Sequence, residues 1–76
     1  MSDVEELEDV LKRGARSQIA LFLILSGGEP RTREEIIEAT GLNKFTVLRE
    51  LSYLHTRHPD WFERVAPKTY RLKRVL

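Results

Sequence analysis

The stretch TREEIIEATGLNKFTVLRELSYLHTR, Thr32 to Arg57, decides the fold, because it reads as two short helices around a tight turn. Thr32 with Glu35 three residues later has the spacing of a capping box, in which hydroxyl and carboxylate each accept from the other residue's backbone N–H. A helix therefore starts at Arg33. It is expected to bury Ile36, Ile37 and Ala39 and to end at Gly41, which can adopt the left-handed conformation that stops a helix. Leu42 can fill the space between the helices, and Asn43 is a strong cap for the second one. In that second helix Val47, Leu51 and Leu54 share one face, at spacings of four and three. Two helices joined this way make a helix-turn-helix.

Working outward, the whole chain has 76 residues, room for one small domain. A domain of that size buries only about 60% of its unfolded surface. It has no cysteine, so no disulfide or thiolate metal site reinforces it. The longest apolar run, Ile19 to Leu25, has seven residues. That is far short of the ~20 needed to span a membrane. It follows an acidic start, unlike a signal peptide, and a cytoplasmic location is the expectation. The formal net charge of +1 conceals an asymmetry: residues 1–42 hold nine carboxylates against five Lys or Arg, whereas residues 43–76 hold eight Lys or Arg against three carboxylates. The second half is the one suited to a polyanion.

The string Ala39-Thr40-Gly41-Leu42-Asn43-Lys44-Phe45-Thr46-Val47-Leu48-Arg49-Glu50-Leu51 resembles the helix-turn-helix of winged-helix DNA-binding proteins, particularly the N-terminal domains of IclR-type transcription regulators. Their usual form is Ala-Thr-Gly-Leu, a polar pair, Thr-Val, a variable residue, Arg and Leu. Phe45 departs from it, standing where such families more often place a small polar residue. The resemblance is close over the central third and extends to residues 16–74 only in pattern. It implies a winged helix-turn-helix: mainly α with a small β-hairpin (α+β), three core helices and a two- or three-stranded wing.

Before this motif, residues 2–13 have the pattern of an acidic amphipathic helix, with Ser2 and Glu5 at capping-box spacing and Val4, Leu7 and Leu11 as a stripe beside Val10. Two readings stand: this helix docks on the domain or on a second copy, or it is an acidic tail. Gly14 separates it from a helix over Ala15 to Ser26, giving a division into residues 1–14 and 15–76. Because Ile19 to Leu25 are apolar all round, that helix is expected to be covered on more than one side. Gly27-Gly28 ends it, and Glu29-Pro30-Arg31 can form a brief strand against the wing. Downstream, Pro59 restrains His58 and stops the third helix. Trp61, Phe62 and Val65 begin a hairpin over residues 61–74, with Ala66-Pro67-Lys68-Thr69 as its turn. Tyr70 and Leu72 then alternate with Arg71 and Lys73, as in a half-buried strand. This ending also resembles the closing hairpin of other small helix-turn-helix domains, with Pro67-Lys68 where glycine usually sits.

On a wheel at about 100° per residue, Phe45, Arg49, Ser52 and Thr56 point away from the buried row, with Thr46 and Tyr53 on the flank. This outward face is the candidate for the major groove. Arg49 can donate two parallel bonds to guanine O6 and N7, contact phosphate instead, or be an ordinary exposed arginine paired with Glu50 or Glu38. Phe45 can press on a thymine methyl, turn into the core or meet a protein partner. Asn43, Lys44 and Thr46 at one helix start, and Thr32 and Arg33 at the other, are candidates for phosphate. Arg57, Arg64, Lys68, Arg71 and Lys73 complete the DNA-facing set, the hairpin residues suiting the minor groove or its flanking phosphates.

His55 and His58 lie three apart but have no cysteine or converging carboxylate to complete a metal site, and no metal or cofactor is expected. Nor do a nucleophile, a base and an orienting residue assemble, so the chain is not expected to be an enzyme. The reading is a binder of double-stranded DNA, a transcription regulator, acting as a homodimer through the N-terminal helix and residues 15–26. The alternative is a protein–protein interaction module of a larger complex. Binding of single strands ranks behind both, since Trp61 and Phe62 look like core rather than stacking platforms.

Overall fold

A computed structural model describes residues 8, 10–12 and 14–73. It contains, in order, helix α1 (Gly14–Leu25), strand β1 (Arg31–Thr32), helix α2 (Arg33–Thr40), helix α3 (Lys44–Arg57), and strands β2 (Phe62–Ala66) and β3 (Thr69–Leu72). The strands form one antiparallel sheet in the order β1-β3-β2, an α+β arrangement of these three helices and a three-stranded sheet among the described residues.

The two inner helices begin and end where their local chemistry dictates. Glu35 N–H donates to the Thr32 hydroxyl at 3.1 Å, and Thr32 N–H donates to the Glu35 carboxylate at 2.9 Å, completing the capping box. Gly41, at φ 71°, donates its N–H to Ile37 carbonyl at 2.8 Å and closes α2. A side chain at that φ costs roughly 1 kcal/mol, which explains the glycine. Asn43 then caps α3, its side-chain oxygen accepting from Phe45 N–H at 2.8 Å. The helix ends at Arg57, ahead of Pro59.

One core unites the three helices and the hairpin. Val47, Leu51 and Leu54 of α3 are buried together with Ile19, Ala20 and Leu23 of α1, Ile36 of α2, and Phe62, Tyr70 and Leu72 of the hairpin. Trp61 joins them, as expected of a core residue. Each fully buried aliphatic side chain contributes about 1.5–3 kcal/mol, so this cluster holds a cysteine-free chain without further links. Leu42 packs on its edge, in the turn between α2 and α3.

Several expectations need correction. Ala39 is exposed, because the eight residues of α2 offer only Ile36 fully, and Ile37 partly, to the core. Helix α1 begins at Gly14 and ends at Leu25, one residue earlier at each end than the expected span. It is not covered all round: Leu21 and Leu25 are 47% and 77% exposed, since α2, α3 and the sheet together cover only part of its circumference. The first strand is Arg31–Thr32, starting two residues and ending one residue later than Glu29-Pro30-Arg31, which makes Thr32 both the end of a strand and a helix cap. Val65 does not pack inward; it sits at a register shift between Arg64 and Ala66, the signature of a β-bulge, and is exposed.

Of the predicted N-terminal helix, Ser2, Val4, Glu5, Leu7 and Arg13 lie outside the described residues. Within them, Val10 is buried in the core while Leu11 and Lys12 occupy an exposed turn. Val10, not the neighbouring stripe residue Leu11, therefore makes the contact with the domain.

Two further bonds tie the hairpin down. Arg33 N–H donates to the Lys68 carbonyl at 2.9 Å, and Lys73 N–H donates to the Trp61 carbonyl at 2.7 Å. Lys68 stands at φ 62°, where Pro-X turns favour glycine, and in that geometry its carbonyl receives the helix N–H. The tip of the hairpin is thus fastened to the start of α2.

The capping box generates a pH signature. The Thr32 N–H bond, above all, holds the Glu35 carboxyl below the ordinary carboxylate range. A carboxyl depressed on folding stabilises above its unfolded pKa and loses that contribution as pH falls through the folded value. In urea titrations, Thr32→Ala should lose about 1 kcal/mol at neutral pH. Between neutral pH and pH about 3, Glu35→Gln should show a shallower loss of stability than the native chain.

Candidate nucleic-acid interface

Helix α3 turns its outer row to solvent because its inner row is fully used by the core. Arg49, Ser52 and Thr56 are exposed, and Phe45 is 75% exposed, which removes the option that Phe45 turns into the core. Thr46 and Tyr53 are half-buried on the flank, as the helical wheel places them. Asn43 and Lys44 are exposed at the start of the helix and Arg57 at its end.

The two helix starts differ in what they can offer an anion. At α2, the Arg33 N–H is taken by Lys68 carbonyl and the Glu35 N–H by the Thr32 hydroxyl, and Glu34 and Glu35 occupy the first turn. A phosphate there would meet carboxylates and engaged donors. At α3, the first turn has no acidic residue, and Asn43 engages only the Phe45 N–H. The N–H groups of Lys44 and Thr46 precede the first intrahelical acceptor, so they remain available beside the Lys44 ammonium. The expectation treated both ends alike; the chemistry favours α3.

Electrostatics beneath the outer row centre on Glu50, which is only 7% exposed. One carboxylate oxygen accepts from Arg16 Nε of α1 at 2.7 Å, and the other lies 3.4 Å from Arg49 Nε. The Arg16 guanidinium also lies over the Tyr53 ring, 3.5 Å from its centroid, with Arg57 farther out at 5.9 Å. Tyr53 is therefore stacked against cations of the same chain. Glu50 was expected from sequence only as a candidate partner of Arg49, and Arg16 was not singled out at all. The signal existed: Glu50 is three after Val47 and four before Leu54, on the border of the buried face.

The hairpin carries its cations differently. Arg71 on β3 pairs with Glu63, its register partner on β2. Arg64, Lys68 and Lys73 are exposed and make no ion pair with the described residues. Thr32, Arg33 and Lys68 come together where β1 and α2 meet the hairpin turn. Phe45, Arg49 and Ser52 form a second group, on the outer face of α3.

His55 and His58 stack on Tyr70 and Tyr53 respectively. Among the described residues, no three His, Asp or Glu gather closely enough to hold a metal ion. None of their helices is long and apolar enough to cross a membrane.

In comparisons with known proteins, no family model, no curated protein and no solved structure matches the chain.

The buried Arg16–Glu50 pair makes a prediction independent of any ligand. Removing Arg16 leaves Glu50 only its long contact to Arg49, and removing Glu50 leaves Arg16 without a carboxylate, so Arg16→Met and Glu50→Leu should each lose about 1–3 kcal/mol in urea denaturation. The double variant should lose clearly less than the sum, because it leaves no stranded charge.

Proposed function

We propose that the chain is a winged helix-turn-helix domain that binds double-stranded DNA and acts as a transcription regulator. In this reading α3 lies in the major groove and the hairpin is the wing, resting on the backbone or minor groove. The observation that carries it is the outer face of α3. This helix follows a three-residue turn, exposes Phe45, Arg49, Ser52 and Thr56 in one row, and begins with available N–H groups and Lys44.

Each group then has a task set by its chemistry. Lys44 and the N–H groups of Lys44 and Thr46 would fix a phosphate, setting register without reading sequence. Arg49 would read guanine and Phe45 a thymine methyl. Lys68, Arg64 and Lys73 would supply the salt-sensitive hold of the wing. A single domain of this size makes few base contacts. We therefore place it as a homodimer on two half-sites ~34 Å apart, paired through the N-terminal segment and the face of α1 that exposes Leu21 and Leu25.

A second reading, a protein-interaction module, draws support from one specific feature. Leu21, Phe22, Leu25 and Ala39 line an open apolar groove of about 270 Å³ between α1 and α2. The groove holds no α3 side chain and could take a protein partner instead of a second copy.

Fluorescence anisotropy with a labelled mixed-sequence duplex tests the DNA reading. If about five phosphates are neutralised, the log–log salt slope should be near −4.5, a loss of roughly 500-fold between about 50 and 200 mM salt. Arg49→Ala should weaken binding by about 1–3 kcal/mol while leaving the fold intact. A flat titration at low salt would discard duplex binding and favour the protein-interaction module.

A further inference from the structure

We infer that Glu50 is a positioning residue for Arg49: it tethers the guanidinium at the α1-side edge of the outer face of α3, in a state that can be released to a base. The inference rests on the DNA-binding reading of α3 and adds to it the device that sets selectivity.

The geometry is unequal on the two sides of the carboxylate. Arg16 holds it at 2.7 Å, a normal charge-assisted distance, with its side chain 18% exposed. Arg49 reaches it only at 3.4 Å, with its side chain 71% exposed. Neighbouring residues on a helix point about 100° apart, so Arg49 meets Glu50 only by leaning back toward α1. The carboxylate is thus anchored through Arg16 and steers Arg49 weakly.

Energetics follow from that inequality. An untethered arginine carries rotamer entropy, part of which must be lost on forming a bidentate bond to a base. The Glu50 tether removes some of this freedom before the duplex arrives. When Arg49 swings out, Glu50 keeps its shorter bond to Arg16, so no buried charge is stranded. Releasing Arg49 forfeits one long, exposed contact. Were Arg16 absent, Glu50 would have Arg49 as its sole partner and would compete with the base for it.

A second consequence concerns discrimination. A carboxylate directly behind the reading arginine repels phosphate, which disfavours using Arg49 as a general backbone contact. Glu50 therefore favours base reading over non-specific hold. It lowers affinity for any duplex that lacks a guanine at the right place.

Two measurements test this. The first uses the native chain alone: the Nε–Hε heteronuclear NOE of Arg49 by NMR, compared with that of Arg64. Arg64 is exposed and has no ion pair among the described residues. A clearly higher value for Arg49 is expected; values equal to those of Arg64 would overturn the proposal. The second compares affinity for a G·C-only and an A·T-only duplex of about 20 base pairs at fixed salt. One specific bidentate contact should give the native chain a G·C preference of about 5- to 150-fold. Glu50→Gln should lower this ratio at least threefold while tightening binding to the A·T duplex. Arg16→Met should also lower it, although Arg16 is not placed at the duplex. A merely structural role would weaken both duplexes together and leave the ratio unchanged, and that outcome overturns the proposal. Absence of any native duplex binding would instead discard the underlying DNA reading, with the NMR comparison still deciding whether Glu50 holds Arg49.

Discussion

The row formed by Val47, Leu51 and Leu54 seals one side of α3 into a core shared with α1, α2 and the hairpin, and this seal is the constraint on which the other features depend. A chain of 76 residues without cysteine has no disulfide to hold its helices together and leans on such apolar contacts. Because the row is aliphatic and fully buried, α3 cannot rotate about its axis without exposing it. The direction of every outer side chain is set as a result. Phe45, Arg49, Ser52 and Thr56 face solvent because their opposite numbers are dry. A recognition surface can be rigid in so small a domain only if the helix carrying it is also the centre of the core.

Thr32 is the joint that couples this helix pair to the sheet. It is the last residue of β1, paired with Thr69, and also the cap of α2. The next residue, Arg33, donates its N–H to the carbonyl of Lys68 in the hairpin turn. Strand, helix start and turn therefore meet at one point. With β3 in the middle of the sheet, any movement of the hairpin is transmitted to the start of α2. This explains why Lys68 holds a left-handed conformation that glycine adopts more readily: the turn closes where its carbonyl can accept a helix N–H.

Features set by neighbours in sequence were legible, and those set by partners far along the chain were not. The capping box, Gly41, Asn43, the row on α3 and the Pro67-Lys68 turn each follow from residues within a few positions of one another, and each is present. Exposure of Ala39, Leu21 and Leu25 depends on how much of each helix its neighbours cover, which periodicity does not encode. The bulge at Val65 arises from pairing with β3. Glu50 is the most instructive case. A carboxylate on the edge of an apolar row looks like an ordinary surface residue until Arg16, 34 positions earlier, is found beside it. Of the proposed interface, the identities of the outward residues and a pairing of Arg49 with Glu50 could be read in advance; the anchoring of that carboxylate by Arg16 could not.

The distribution of acid over the surface bears on the two functional readings together. Glu35 and Glu38 border an apolar recess that continues from the groove of Leu21, Phe22, Leu25 and Ala39, on the side formed by α1 and α2. A duplex would be repelled from that side by carboxylates, whereas a protein surface could cover its apolar floor. The first turn of α3 has no acid and begins with Lys44, the reverse arrangement. The proposed DNA face and the candidate protein face are thus built from different residues with opposite electrostatic character. Occupying one does not require vacating the other. Under the proposed DNA-binding reading such a division has a use, because pairing through the α1–α2 side would leave both α3 helices open to the two half-sites of a duplex.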